Sequence, residues 1–146
     1  MENMEIEKKY TIKKLPDNLE TYPCKIIEQA YLNTAPVVRI RRSDDEYYLT
    51  YKGSGLMARE EYNLPLDEAS YRHLLKKADG NVISKKRHVI PIEDPQFDGS
   101  YTPQSTPALR IELDVFAPPF APLVMAEVEF PQIEMADAFV PPAWFA

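Results

Sequence analysis

The residues best suited to chemistry come in pairs, two apart and matched in sign. Near the N-terminus, "MEIEKKY" sets Glu5 and Glu7 two apart, with Lys9 following at the same spacing. Arg39 and Arg41, Lys85 and Arg87, and Glu127 and Glu129 repeat the spacing. On a β-strand, residues two apart share a face. Each pair then carries two like charges side by side, which costs a little rather than helps. A solvated face explains any one pair, because a wet polar face is ordinary for an antiparallel strand. It does not explain the sorting by sign, whereas a bound ligand would. Clustered Arg and Lys suit phosphate oxygens. Clustered Glu and Asp suit Mg²⁺ or Mn²⁺, which prefer oxygen ligands. A metal-bound polyphosphate engages both clusters at once.

These side chains need strands to hold them. Short, alternating runs rich in β-branched and aromatic residues predict strands over residues 4–11, 25–33, 36–43, 46–52, 58–64, 81–92, 108–116 and 123–130. Their parity is regular. Tyr48, Thr50 and Lys52 oppose Tyr47, Leu49 and Tyr51, and Arg59, Glu61 and Asn63 share one side. Arg110, Glu112 and Asp114 oppose Ile111, Leu113 and Val115. Asp44-Asp45 and Gly53-Ser54-Gly55 read as tight turns between antiparallel strands. Asp67 is expected to cap a helix reaching about Ala78, with Tyr71, Leu74, Leu75 and Ala78 as its apolar stripe and Gly80 ending it. A second helix is expected over residues 133–140, stopped by Pro141-Pro142, and a further turn over 16–22. Residues 94–107 carry turn chemistry throughout and read as a loop.

The expected fold is mainly β with a few helices: a closed, eight-stranded antiparallel β-barrel with a charged interior. Eight strands leave room for side chains or one small ligand. The apolar faces then point outward and need cover from helices, loops or a second copy, so a homodimer is expected.

The 146 residues suit one domain, 1–146. A net charge of −6 argues against a nucleic-acid-coating role. No apolar run is long enough to span a membrane as a helix, and no leader pattern opens the chain. Cys24 is the one cysteine, so a disulfide framework is excluded and a reducing cytoplasm fits. His73 and His88 lack metal-ligand spacing, and His88 has the outward parity of its strand. Trp144, Phe145 and Phe139 read as cover for apolar barrel surface, whereas Tyr31 and Tyr48 have inward parity.

The run Glu5-Ile6-Glu7-Lys8-Lys9 resembles the ExExK signature of the CYTH superfamily, the triphosphate tunnel metalloenzymes. Val38-Arg39-Ile40-Arg41, Tyr51-Lys52-Gly53, Lys85-Lys86-Arg87, Glu112-Leu113-Asp114-Val115-Phe116 and Glu127-Val128-Glu129-Phe130 follow in that family's order, over nearly the whole chain. The resemblance implies Glu5, Glu7, Glu61, Asp114, Glu127 and Glu129 as metal ligands. It implies Lys9, Arg39, Arg41, Lys52, Arg59, Lys85 and Arg87 as phosphate-binding residues. Like-charged neighbours lower a lysine's pKa, which makes Lys9 or Lys85 a candidate to take a proton from water, the alternative being that both stay protonated and only bind phosphate. The implied cofactor is Mg²⁺ or Mn²⁺, and the implied reaction is hydrolysis of inorganic tripolyphosphate to pyrophosphate and orthophosphate. Thiamine triphosphatase, adenylate cyclase and a non-catalytic polyphosphate- or nucleotide-binding module are the alternatives. Family members usually continue past their Trp-Phe, whereas this sequence stops at Trp144-Phe145-Ala146. In relatives that continuation helps close or line one end of the tunnel, so an altered tunnel end is expected; residues 94–107 are a second departure, longer than the tight turn the resemblance implies there.

Overall fold

The computed structural model describes residues 4–146. Eight strands form the ring: β1 (Met4–Tyr10), β2 (Cys24–Thr34), β3 (Val37–Ser43), β4 (Glu46–Lys52), β5 (Ala58–Leu66), β6 (Asp79–Ile92), β8 (Leu109–Phe116) and β9 (Val124–Glu129). Two short strands, β7 (Gln96–Phe97) and β10 (Phe139–Val140), pair outside it. The barrel is closed in the order β1-β5-β4-β3-β2-β6-β8-β9, and every pairing is antiparallel. β1 closes the ring by serving two neighbours. Met4, Glu5 and Ile6 pair with β5, and Glu7 through Tyr10 pair with β9. Closure is thus complete within residues 4–129.

Two turns are set by local chemistry. Asp44 takes φ +52° between β3 and β4, in the left-handed region that Asp tolerates better than most residues. Its amide and carboxylate both bond the backbone of Ile26, at 2.9 Å each, stitching the turn to β2. Gly55 sits at φ +137°, and a Cβ there would lie 2.3 Å from the Ala58 carbonyl oxygen, so only glycine fits.

The apolar core lies outside the barrel wall, as the parity predicts. One cluster joins Ile90, Leu109, Ile111, Leu113, Ala126 and Val128 to Met135, Ala136, Phe139 and Phe145. Its cover is α2 (Ile133–Ala138), the β7–β10 pair and the C-terminal residues. Phe145 bridges Ile12, and the Ala146 amide donates to the Thr11 carbonyl at 2.8 Å. A smaller cluster sets Tyr71 against Ala30 and Ile40 under α1 (Glu68–Leu75). Asp67 caps α1 by accepting from the Ser70 amide at 2.7 Å.

Three expectations need correction. Residues 94–107 are not loop throughout, because Gln96 and Phe97 pair with Val140 and Phe139. Helix α1 ends at Leu75, and Gly80, with φ +71°, instead lies at the start of β6. The second helix stops at Ala138, where Phe139 turns extended (ψ 130°) to make β10. Among the described residues, no helix is long and apolar enough to cross a membrane.

Candidate functional site

The barrel encloses a cavity of about 880 Å³ lined by both charge clusters. Strand order divides it in two. Six of its acids come from four consecutive strands of the ring: Glu112 of β8, Glu127 and Glu129 of β9, Glu5 and Glu7 of β1, and Glu61 of β5. The bases come from the other half: Lys52 of β4, Arg39 and Arg41 of β3, and Lys85 and Arg87 of β6. The exceptions are Lys9 and Arg59, bases on acidic-half strands, and Asp45 and Glu46, acids at the turn into β4 on the basic half; the Lys9 side chain is half exposed.

On the basic side, Arg41 donates from Nε and Nη2 to the Gln29 side-chain oxygen, at 2.8 and 2.5 Å. Arg39 makes one hydrogen bond among the described residues, from Nη2 to Thr50 at 3.4 Å. Its buried Nε has no hydrogen-bond partner among the described residues. Burial and the neighbouring Arg41 both pull the Arg39 guanidinium below its usual range. A buried, under-partnered cation beside other cations is an anion receptor. Thr50 donates in turn to Asn63, whose amide donates to Glu61 at 3.1 Å, a polar chain from the basic half to the acidic half.

Asp114 sits differently from the other expected metal ligands. It is 1% exposed and lies beneath the cavity surface rather than among the lining groups. Arg87 grips both its oxygens, from Nε at 2.8 Å and Nη2 at 2.9 Å, and Lys85 Nζ lies 2.6 Å away. These bonds outweigh burial and hold the Asp114 carboxyl below its usual range. The carboxylate is thereby saturated by the cations it aims into the lumen. Glu112 takes the lining position on the same strand, accepting from Arg87 Nη1 at 3.3 Å. Burial lowers the Lys85 ammonium to about 8, with Arg41 and Arg87 adding to the fall and Asp114 opposing it.

On the acidic side, burial pushes the Glu7 carboxyl up to about 7, with Glu127 and Glu5 adding repulsion and Lys52 and Lys9 relieving part of it. Burial likewise raises Glu5 and Glu129. Burial also works to raise Glu61, but bonding to Glu5, Lys52 and Asn63 leaves it below its ordinary value. Crowded carboxylates that resist ionising have less countercharge than they need, even with Lys52 among them. They are an all-oxygen donor set suited to a hard divalent cation. Among the described residues, no group of three His, Cys, Asp or Glu side chains is placed so as to hold a metal ion by itself. The set therefore fits a cation that keeps water and takes further oxygens from a phosphate.

Parity legibly marks the lining groups that carried no assigned role. Glu112 shares a face with Asp114, and Gln29 shares one with Tyr31. Tyr31 and Tyr48 both line the cavity.

The CYTH domain profile matches residues 3–115. An inorganic triphosphatase from Nitrosomonas europaea is 33% identical over 145 residues, which is 97% of this chain and 85% of the relative. The crystal structure of the inorganic triphosphatase NE1496 superimposes with a TM-score of 0.63 at 30% identity, covering 97% of this chain and 83% of that one. The PH1012 protein of Pyrococcus horikoshii superimposes with a TM-score of 0.61 at 15% identity, over 92% of this chain and 82% of that one, a likeness of fold alone.

Proposed function

The chain belongs to the CYTH domain family, and from that premise we propose that it is a divalent-metal-dependent triphosphatase splitting inorganic tripolyphosphate into pyrophosphate and orthophosphate. The observation that carries this reading is the two-sided lumen, with acids clustered on four consecutive strands facing bases on β4, β3 and β6. A linear polyanion with bound Mg²⁺ or Mn²⁺ satisfies both halves, and few other ligands do.

Glu5, Glu7 and Glu129 would hold one cation, and Glu127 with Glu112 beside it a second. A divalent ion there neutralises phosphate charge and acidifies water. The chain's own residues do the rest. Arg39 and Arg41 grip phosphate oxygens, and the unpartnered Nε of Arg39 has capacity to spare. Gln29 fixes the plane of the Arg41 guanidinium. Asp114 aims Arg87 and Lys85 across the cavity as a positioning residue. Lys85, with its ammonium lowered to about 8, is the better placed of the two lysines to take a proton from the attacking water. Lys9 is half exposed and has no comparable burial. Positioning and preorganised charge supply most of the rate in such a site. The lone, exposed Cys24 suits a reducing cytoplasm.

A second reading has an observation of its own. Tyr31, Tyr48 and Phe116 give the lining an aromatic component that could seat the organic head of a nucleoside or thiamine triphosphate. One assay set separates the readings: tripolyphosphate, thiamine triphosphate and ATP, each with Mg²⁺ or Mn²⁺ and with a chelator control. Orthophosphate from tripolyphosphate, abolished by chelation, is expected. Cyclic AMP from ATP, or tight binding without product, refutes the proposal.

A further inference from the structure

Lys52 belongs to the basic half by strand but to the acidic half by contact. It ends β4, beside β5, and its side chain is 8% exposed. Its Nζ lies 2.7 Å from Glu5, 3.4 Å from Glu61 and 4.0 Å from Glu7. The other buried bases are held elsewhere: Arg41 by Gln29, Arg39 by Thr50, and Lys85 and Arg87 by Asp114. Lys52 therefore sits on Glu5 and Glu7, two of the carboxylates assigned above to the cation, and on Glu61 beside them. Two buried carboxylates and a partly buried third would repel strongly without a countercharge, and an ammonium relieves that repulsion as a metal ion would.

We propose that Lys52 is a tethered stand-in cation, which a divalent ion displaces from Glu5, Glu7 and Glu61 and so delivers to the phosphates. The inference rests on the cation-binding reading of these acids. Its physical basis is competition: one set of oxygens cannot serve both an ammonium at 2.7 Å and a metal ion. A lysine's flexible four-carbon stem lets the displaced head swing while its backbone stays in the ladder. The nearest strong anion is then the triphosphate. Metal and triphosphate binding become linked, each improving the other by the same factor.

The test titrates Mn²⁺ alone into the full chain by calorimetry, without substrate. Lys52→Met should bind Mn²⁺ about tenfold more tightly than the wild type, because the competitor is gone. Arg41→Met removes the same charge from the opposite wall and should give a distinctly smaller gain. Lys52→Arg keeps a tethered cation and should stay near wild type. An unchanged or weaker affinity in Lys52→Met, or an equal gain in Arg41→Met, overturns the proposal. If Lys52→Met does not fold, the wild type still decides. The side-chain NH₃⁺ signal of Lys52 should move on adding Mg²⁺, and a bound Mg²⁺ that leaves it in place overturns the idea. If neither wild type nor Lys52→Met binds Mn²⁺, the cation reading itself falls. If the wild type binds, Glu5→Gln does not and Lys52→Met matches wild type, only the stand-in role falls.

Discussion

Removing a lumen carboxylate should make the metal-free protein more stable, and only at the pH where that carboxylate is charged. Glu7 is the sharpest case, with its carboxyl raised from 4.5 to about 7. The folded state holds the Glu7 proton more tightly than the unfolded chain does. Glu7 therefore favours folding below the unfolded value, and that advantage is lost as pH rises from about 4.5 through 7. Relative to Gln, which never ionises, wild-type Glu7 carries its full penalty only above about pH 7. The shift corresponds to at most ~3 kcal/mol. Glu5 and Glu127 share the repulsion, so about 2 kcal/mol is the expected gain from Glu7→Gln at pH 8. For a chain this size that raises Tm by roughly 6 °C. At pH 5 the two proteins should melt within about 1 °C of each other. The assay is thermal and urea unfolding with a chelator present, at pH 5 and pH 8. Saturating Mn²⁺ should reverse the order at pH 8, because the wild type binds it better. Equal Tm differences at both pH values, or a less stable Glu7→Gln at pH 8, would refute the reasoning.

Other perturbations probe the opposite wall. Arg39→Ala removes the under-partnered guanidinium and should raise KM for tripolyphosphate by at least about tenfold, with a fall in kcat where the contact tightens in the transition state, read by steady-state kinetics. Lys85→Arg keeps the charge but cannot deprotonate. It should abolish the rise in rate expected of wild type as pH approaches about 8, and a profile unchanged in shape would mean that Lys85 only binds phosphate. Asp114→Asn leaves Lys85 without its countercharge and Arg87 with only Glu112 and Glu127, and should cost about 3 kcal/mol by urea unfolding at pH 7. Because the Asp114 carboxyl is lowered, its contribution is present above the unfolded value and lost as pH falls through the folded one, so the gap between variant and wild type should close in acid.

Much of this architecture is written in the period-two alternation. Parity alone places Arg39 with Arg41 and Glu127 with Glu129 on inward faces, and all four line the cavity. Alternation gives direction but not depth. Glu112 and Asp114 share a face, yet one lines the lumen and the other lies beneath it, because depth depends on how the strands tilt and stagger around the ring. Neighbour identity is hidden too. The two-sided division appears only once β1 is seen between β5 and β9, pairings far apart in sequence. Lys52 reads as one more phosphate lysine until its register opposite Glu61 brings it among the acids. The β7–β10 pair escapes notice because two residues on each side are too few to show a period.

The way β1 changes neighbours has a mechanical consequence. Its first three residues are knit to β5 and the next four to β9, so the switch falls between Ile6 and Glu7. Glu5 rides on one flank of that join and Glu7 on the other, opposite Arg59 and Glu129 respectively. An ion bridging the two would act as a rivet across the tube's shortest seam, tightening its girth where the knitting is thinnest. Amide exchange along Met4–Ile6 should therefore slow on loading more than anywhere else in the wall.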